Sequence, residues 1–138
     1  MKQFQSFVGV DMTSATFMAC VGTTLWKVTG KPVQFDNQEE GFVSFLNWLK
    51  EPHLASEGTV VCMEATGVYS EGLAYFLYAG SYPVAVEPPL NIQRKFSANA
   101  SKTDELDCQY IAEYACRYAD KLSFGKPRAE ILEQVKLL

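Results

Sequence analysis

Histidine is almost missing from this chain. The one copy, His53, sits in the turn-like stretch EPHLASEG, which leaves no basis for a histidine-rich metal centre or a serine–histidine–aspartate triad. Cysteine is scarce and unpaired in pattern. Cys20, Cys62, Cys108 and Cys116 form no Cys-x-x-Cys pair and no zinc-type spacing. Set among apolar neighbours, they read as buried, reduced thiols. An excess of basic residues is absent too, since 12 Lys and Arg face 16 Asp and Glu for a formal charge of −4. Such a balance does not announce a nucleic-acid partner, but it does not exclude one, because a site that holds metal ions needs surplus carboxylates. No apolar run approaches a membrane span, and no basic stretch followed by an apolar core and cleavage site opens the chain. The reading is a soluble, cytoplasmic protein with no membrane partner.

What is present suffices for one domain. Of 138 residues 48% are hydrophobic, with 9 Phe, 7 Tyr and 2 Trp to build a core. FVGVDMTS (7–14) and ATFMACVG (15–22) are apolar and β-rich, broken at the polar Ser14, and LWKVTGKPVQF (25–35) reads as a hairpin arm or edge strand. Their close spacing predicts an antiparallel meander. The period then changes. Phe42, Phe45, Leu46 and Leu49 recur at helical spacing in 37–51, with Asn37 as the expected N-cap. TVVCMEAT (59–66) is a strand buried on both faces, 70–81 is a second helix ending near Gly80, and PVAVEP (83–88) is a short buried strand. A long helix is expected from about Thr103 to Leu122. The order β-β-β-α-β-α-β-α predicts a mixed five-stranded α/β sheet, its first three strands antiparallel, with helices on both faces. Residues 1–125 are expected to form this domain. AEILEQVKLL, with Ile131, Val135 and Leu138 in register, reads as the start (126–138) of a helix leading to a further C-terminal domain, and its apolar stripe predicts self-association.

Asp11 ends the apolar run FVGVD and Glu64 ends VVCME, each followed at once by turn-formers. In open α/β sheets, sites form in the crevice beyond the carboxyl ends of the strands. A right-handed crossover would make those two strands neighbours, and a helix carrying Asp104 and Asp107 could close the crevice. Four gathered carboxylates repel unless cations lie between them. Hard oxygen ligands suit Mg²⁺ or Mn²⁺, and two such ions about 3.5–4 Å apart serve phosphoryl transfer. Each acid has a plainer reading, as a solvated strand end or a helix-dipole partner. Glu87, which ends VAVEP, is a fifth acid, either a competitor for metal or merely solvated.

The segments VGVDMTSATFMACV, VVCMEATGVYSEGLAYFL, YPVAVEPP and KTDELD resemble the DEDD-type transposases of bacterial insertion sequences, the group that includes the Piv pilin-gene invertases. The resemblance runs from about Phe7 to Leu122 and covers the N-terminal RuvC-like domain, of RNase H fold. EATGVY and KTDELD, in this order and at this distance, are its most specific part. It implies that Asp11, Glu64, Asp104 and Asp107 are the catalytic, metal-binding tetrad, loaded with two Mg²⁺ or Mn²⁺ ions. It also implies a partner domain bearing a nucleophilic serine, action on mobile-element DNA in a bacterial cytoplasm at the nucleoid, and guidance by a structured bridge RNA; a homo-oligomer is expected from the 126–138 apolar stripe alone. The departures are Ala15 where lysine is frequent, Glu87 where asparagine is usual, Cys108 where alanine is usual, and Asn99 where a glycine often stands.

Lesser signals remain. Arg94, Lys95 and Lys102 form an acid-free basic stretch that either neutralises phosphates or is a solvated loop. Tyr69 is read as a core residue at a helix start in preference to a nucleotide-stacking ring, and the Tyr110, Tyr114, Tyr118 row as packing. The expected function is metal-dependent phosphodiester cleavage and strand transfer by the full-length enzyme, this fragment being inactive alone. A stand-alone junction-resolvase-type nuclease is the main rival. A fold of the actin-like ATP-binding kind is disfavoured for want of a second phosphate loop, and a non-catalytic RNA- or protein-binding scaffold is the remaining alternative.

Overall fold

The computed structural model describes residues 4–23, 31–50, 58–65, 68–87, 104–122 and 124, with the backbone alone at 104–107. Strand β1 (Ser6–Met12) turns through Thr13 into β2 (Thr16–Thr23). Thr13 makes that turn locally. Its hydroxyl accepts from the Thr16 amide at 3.0 Å, and its own amide donates to the Thr16 carbonyl at 2.8 Å. A side chain that satisfies a nearby amide is what threonine offers a tight turn. β3 (Val33–Asp36) pairs antiparallel with β2, so the expected third strand is a short edge strand; residues 24–30 lie outside the described residues.

Helix α1 (Glu39–Lys50) carries the chain across the sheet to β4 (Thr59–Glu64), which pairs parallel with β1. Helix α2 (Val68–Ala79) then leads to β5 (Val84–Glu87), parallel to β4. The sheet order is β3-β2-β1-β4-β5, the mixed arrangement that the sequence predicts. α2 ends with Ser81 at φ 68°, its amide on the Tyr78 carbonyl and the Tyr82 amide on the Leu77 carbonyl. Glycine usually fills that left-handed position.

The third helix, α3 (Asp104–Arg117), is shorter than the expected 103–122. Tyr118 leaves helical geometry at φ −119°, ψ 30°, and a single 3₁₀ turn over Ala119–Lys121 follows. α1 opens two residues after Asn37. The Asn37 side-chain amide instead donates to the carbonyls of Thr13 and Tyr69, both at 3.0 Å, tying the β1–β2 turn to the start of α2.

Alternation along the strands assigns the faces. Val8, Val10, Phe17, Ala19, Val21, Val61, Met63 and Val84 pack under α1 and α2 with Phe45, Leu49, Leu73 and Leu77. The opposite face packs against α3 through Phe7, Val60, Cys62 and Ala85, which meet Ile111, Tyr114 and Ala115. Cys20 meets Cys108 and Ala112 beside them. Helices thus cover both faces.

Candidate active site

Gly9 decides how close α3 comes. A Cβ at Gly9 would collide with the Cys108 carbonyl oxygen and the Ala112 amide, so helix backbone lies directly on strand backbone. Only glycine permits that approach. Further along, Tyr118 and Leu122 cluster with Phe4 and Phe7 at the amino end of β1. α3 therefore runs antiparallel to β1, and its first turn lies at the end of β1 that carries Asp11.

The parallel pairing of β1 with β4 runs from Ser6↔Thr59 to Val10↔Met63, and Asp11 and Glu64 are the next residue of each strand. Glu64 in turn is the paired partner of Glu87. Asp11, Glu64 and Glu87 therefore form a row across three adjacent parallel strands, at their carboxyl ends and on the face covered by α3. Asp11 and Glu64 are half-buried. Asp104 and Asp107 lie in the first turn of α3, one turn ahead of the buried Cys108 and Ile111; their side chains lie outside the described residues. Among the described residues no three acids, cysteines or histidines are gathered closely enough to hold a metal ion by themselves.

Glu87 corrects one expectation. It is not a solvated strand end, being only 2% exposed, and it accepts a hydrogen bond from the Tyr114 hydroxyl at 3.1 Å. Tyr114, read from sequence as packing, is also a polar anchor. A tyrosine on a buried helix face needs a partner for its hydroxyl, and that was the available signal. Burial, then the negative charge of Glu87 and the bond to it, pushes the Tyr114 hydroxyl up to about 12. Cys62 lies under the same row. Burial raises its thiol far above the ordinary range, and the charges of Glu87 and Glu64 add to the effect. It therefore keeps its proton at neutral pH, and the donors at the row's edge are carboxylate oxygens. That donor set fits a hard divalent cation.

Two other sequence expectations change. Tyr69 is 48% exposed at the start of α2, outside the core, on the outer side of the helix with Val68, while Ser70 and Leu73 take the buried side. Cys20, Cys62 and Cys108 are buried as expected while Cys116 is half-buried, and none of the four is in a disulfide. Arg94, Lys95 and Lys102 and the 126–138 helix lie outside the described residues. No described helix is long and apolar enough to cross a membrane.

The profile of the IS110-type DEDD transposases, described as transposase, matches residues 8–138. The chain belongs to that family. It is 29% identical over 115 residues to the pilin gene-inverting protein of Moraxella lacunata, covering 82% of this chain and 35% of that protein. The corresponding protein of Moraxella bovis is 28% identical over 116 residues, again covering 82% and 35%. This transposase-family chain thus spans about a third of the length of the curated relatives it matches. Among solved structures, RuvC of Thermus thermophilus in complex with Holliday junction substrate superposes with TM-score 0.65 at 12% identity, covering 88% of this chain and 99% of that one. A second T. thermophilus RuvC structure gives 0.57 at 14% identity, covering 87% and 99%. The fold is RuvC-like, of the RNase H class.

Proposed function

We propose that this domain supplies the acidic half of a transposase active site, with Asp11, Glu64, Asp104 and Asp107 holding two Mg²⁺ or Mn²⁺ ions against a phosphodiester of mobile-element DNA. The observation that carries the reading is the adjacency of Asp11 and Glu64 at the ends of paired parallel strands, with the first turn of α3 at the same end of β1. When bound, the metal ions would clamp attacking and leaving oxygens. The chain's own part is positional. β1 and β4 hold the backbones of Asp11 and Glu64 on adjacent strands, roughly 4.8 Å apart. α3, seated on Gly9, brings Asp104 and Asp107 to the same end of the sheet. Arg94, Lys95 and Lys102 would meet DNA phosphates. In the longer protein a serine-bearing domain would complete strand transfer, a structured guide RNA would select the DNA, and two or more copies would assemble. The isolated chain would then bind metal without transferring strands.

The test is transposition and donor cleavage by the full-length protein with Mg²⁺ or Mn²⁺. Asp11→Asn and Glu64→Gln should each lower cleavage by about a thousandfold or more while leaving metal-free melting unchanged or raised. Cleavage within tenfold of the parent would sink the assignment. Nuclease digestion of co-purified RNA, followed by the same assay, tests guidance.

A second reading has one observation in its favour. The domain matches 99% of a RuvC chain, so the fold is present without the additional domain. Tetrad-dependent cutting of a four-way junction by this chain alone would establish that nuclease reading instead.

A further inference from the structure

Glu87 belongs to the row but not to the four-carboxylate scheme. It is paired in register with Glu64, lies on the same sheet face, and is 2% exposed. Carboxylates are seldom buried so completely, because the charge loses its hydration. The Tyr114 hydroxyl donates a hydrogen bond to the Glu87 Oε1 at 3.1 Å and holds the side chain on that face. Glu64 and Glu87 are paired partners on adjacent strands, with the buried Cys62 two residues before Glu64 on the same face. Two neighbouring carboxylates raise the affinity of the space between them for a cation.

We propose that Glu87 is a positioning residue for the cation site: its buried carboxylate, anchored by Tyr114, strengthens divalent-ion binding at Asp11 and Glu64 through its charge. This rests on the metal-dependent reading above and extends it to a fifth acid. Because burial and the Tyr114 hydroxyl hold the side chain in place, Glu87 acts from behind the row.

Mn²⁺ titration calorimetry on this chain tests it. Glu87→Gln keeps the shape and an acceptor for Tyr114 and removes only the charge. Its dissociation constant for Mn²⁺ should rise about tenfold, with metal-free melting temperature unchanged or higher. Unaltered Mn²⁺ affinity would overturn the proposal. Tyr114→Phe keeps the charge and removes the anchor, so its Mn²⁺ affinity should stay within about threefold of the parent. A loss as large as that expected of Glu87→Gln would show the pair to be packing and would also overturn the charge role. If Glu87→Gln does not fold, Glu87→Asn, which also removes the charge, takes its place with the same expected tenfold rise, and unaltered affinity there overturns the proposal. Asp11→Asn separates the two levels. If it abolishes Mn²⁺ binding while Glu87→Gln leaves it intact, only the role of Glu87 falls. If it binds Mn²⁺ as the parent does, or the parent binds none, both readings fall.

Discussion

The two faces of the sheet are built from different materials. Under α1 the layer is thick and aromatic: Phe17 stacks on Phe35 at 5.3 Å, meets Phe45 edge-on at 5.4 Å, and Phe45 stacks on Trp48 at 5.7 Å. Under α3 the residues at the closest approach are small, with Gly9 and Cys20 of the sheet against Cys108 and Ala112 of the helix. Large rings contribute buried area, roughly 1.5–3 kcal/mol for each fully buried side chain. Small residues contribute less area but fix the distance between two backbones. The first face stabilises the domain. The second sets the height of a helix whose opening turn carries two of the candidate ligands.

Substitutions can break this contrast. Phe45→Ala, at a side chain with no exposure, should cost about 4 kcal/mol in chemical denaturation. In those molecules that remain folded, Mn²⁺ affinity should be unaltered. A simultaneous loss of Mn²⁺ binding would mean that the two faces are not separable. Gly9→Ala adds one methyl group, yet it meets backbone atoms of Cys108 and Ala112 that cannot swing aside. It should cost about 2–3 kcal/mol, and it should weaken Mn²⁺ binding even where the protein is folded. Normal metal affinity in a folded Gly9→Ala protein would show that α3 height is not critical.

The smallest effect sharpens the comparison through pH. Tyr114 holds its proton up to about 12, whereas an unfolded tyrosine loses it near 10. With the folded value raised, the stabilisation is fully present below about pH 10 and is lost as pH rises toward 12. Tyr114→Phe should flatten that alkaline decline by about 1 kcal/mol between pH 10 and 11. Tyr82, on the aromatic face, is also raised by burial and remains in the variant, so part of the decline should persist. An alkaline profile identical to the parent would place Tyr114 outside the linkage.

The strands and helices were legible because each shows one period clearly. β4 is an unbroken apolar run and α1 repeats its apolar residues at helical spacing, and both lie within two residues of the expected bounds. The errors fall where a long-range bond overrides a local preference. Asn37 reads as an N-cap by residue type, yet its amide reaches the carbonyls of Thr13 and Tyr69, 24 and 32 residues away. Glu87 read as a possible solvated acid because no local pattern reveals that Tyr114, 27 residues later, will donate to it.

By itself the sequence determined that acids end the apolar runs of β1 and β4 and that a further pair opens a helix, because periodicity and strand ends are local properties of the chain. Tertiary structure decided which acids become neighbours. The parallel pairing of β1 with β4 sets Asp11 beside Glu64, the pairing of β4 with β5 adds Glu87, and the absence of a side chain at Gly9 lets α3 close over the row. Register between strands and the distance between backbones arise only when segments far apart in sequence meet, and those two quantities turn separate acids into a candidate site.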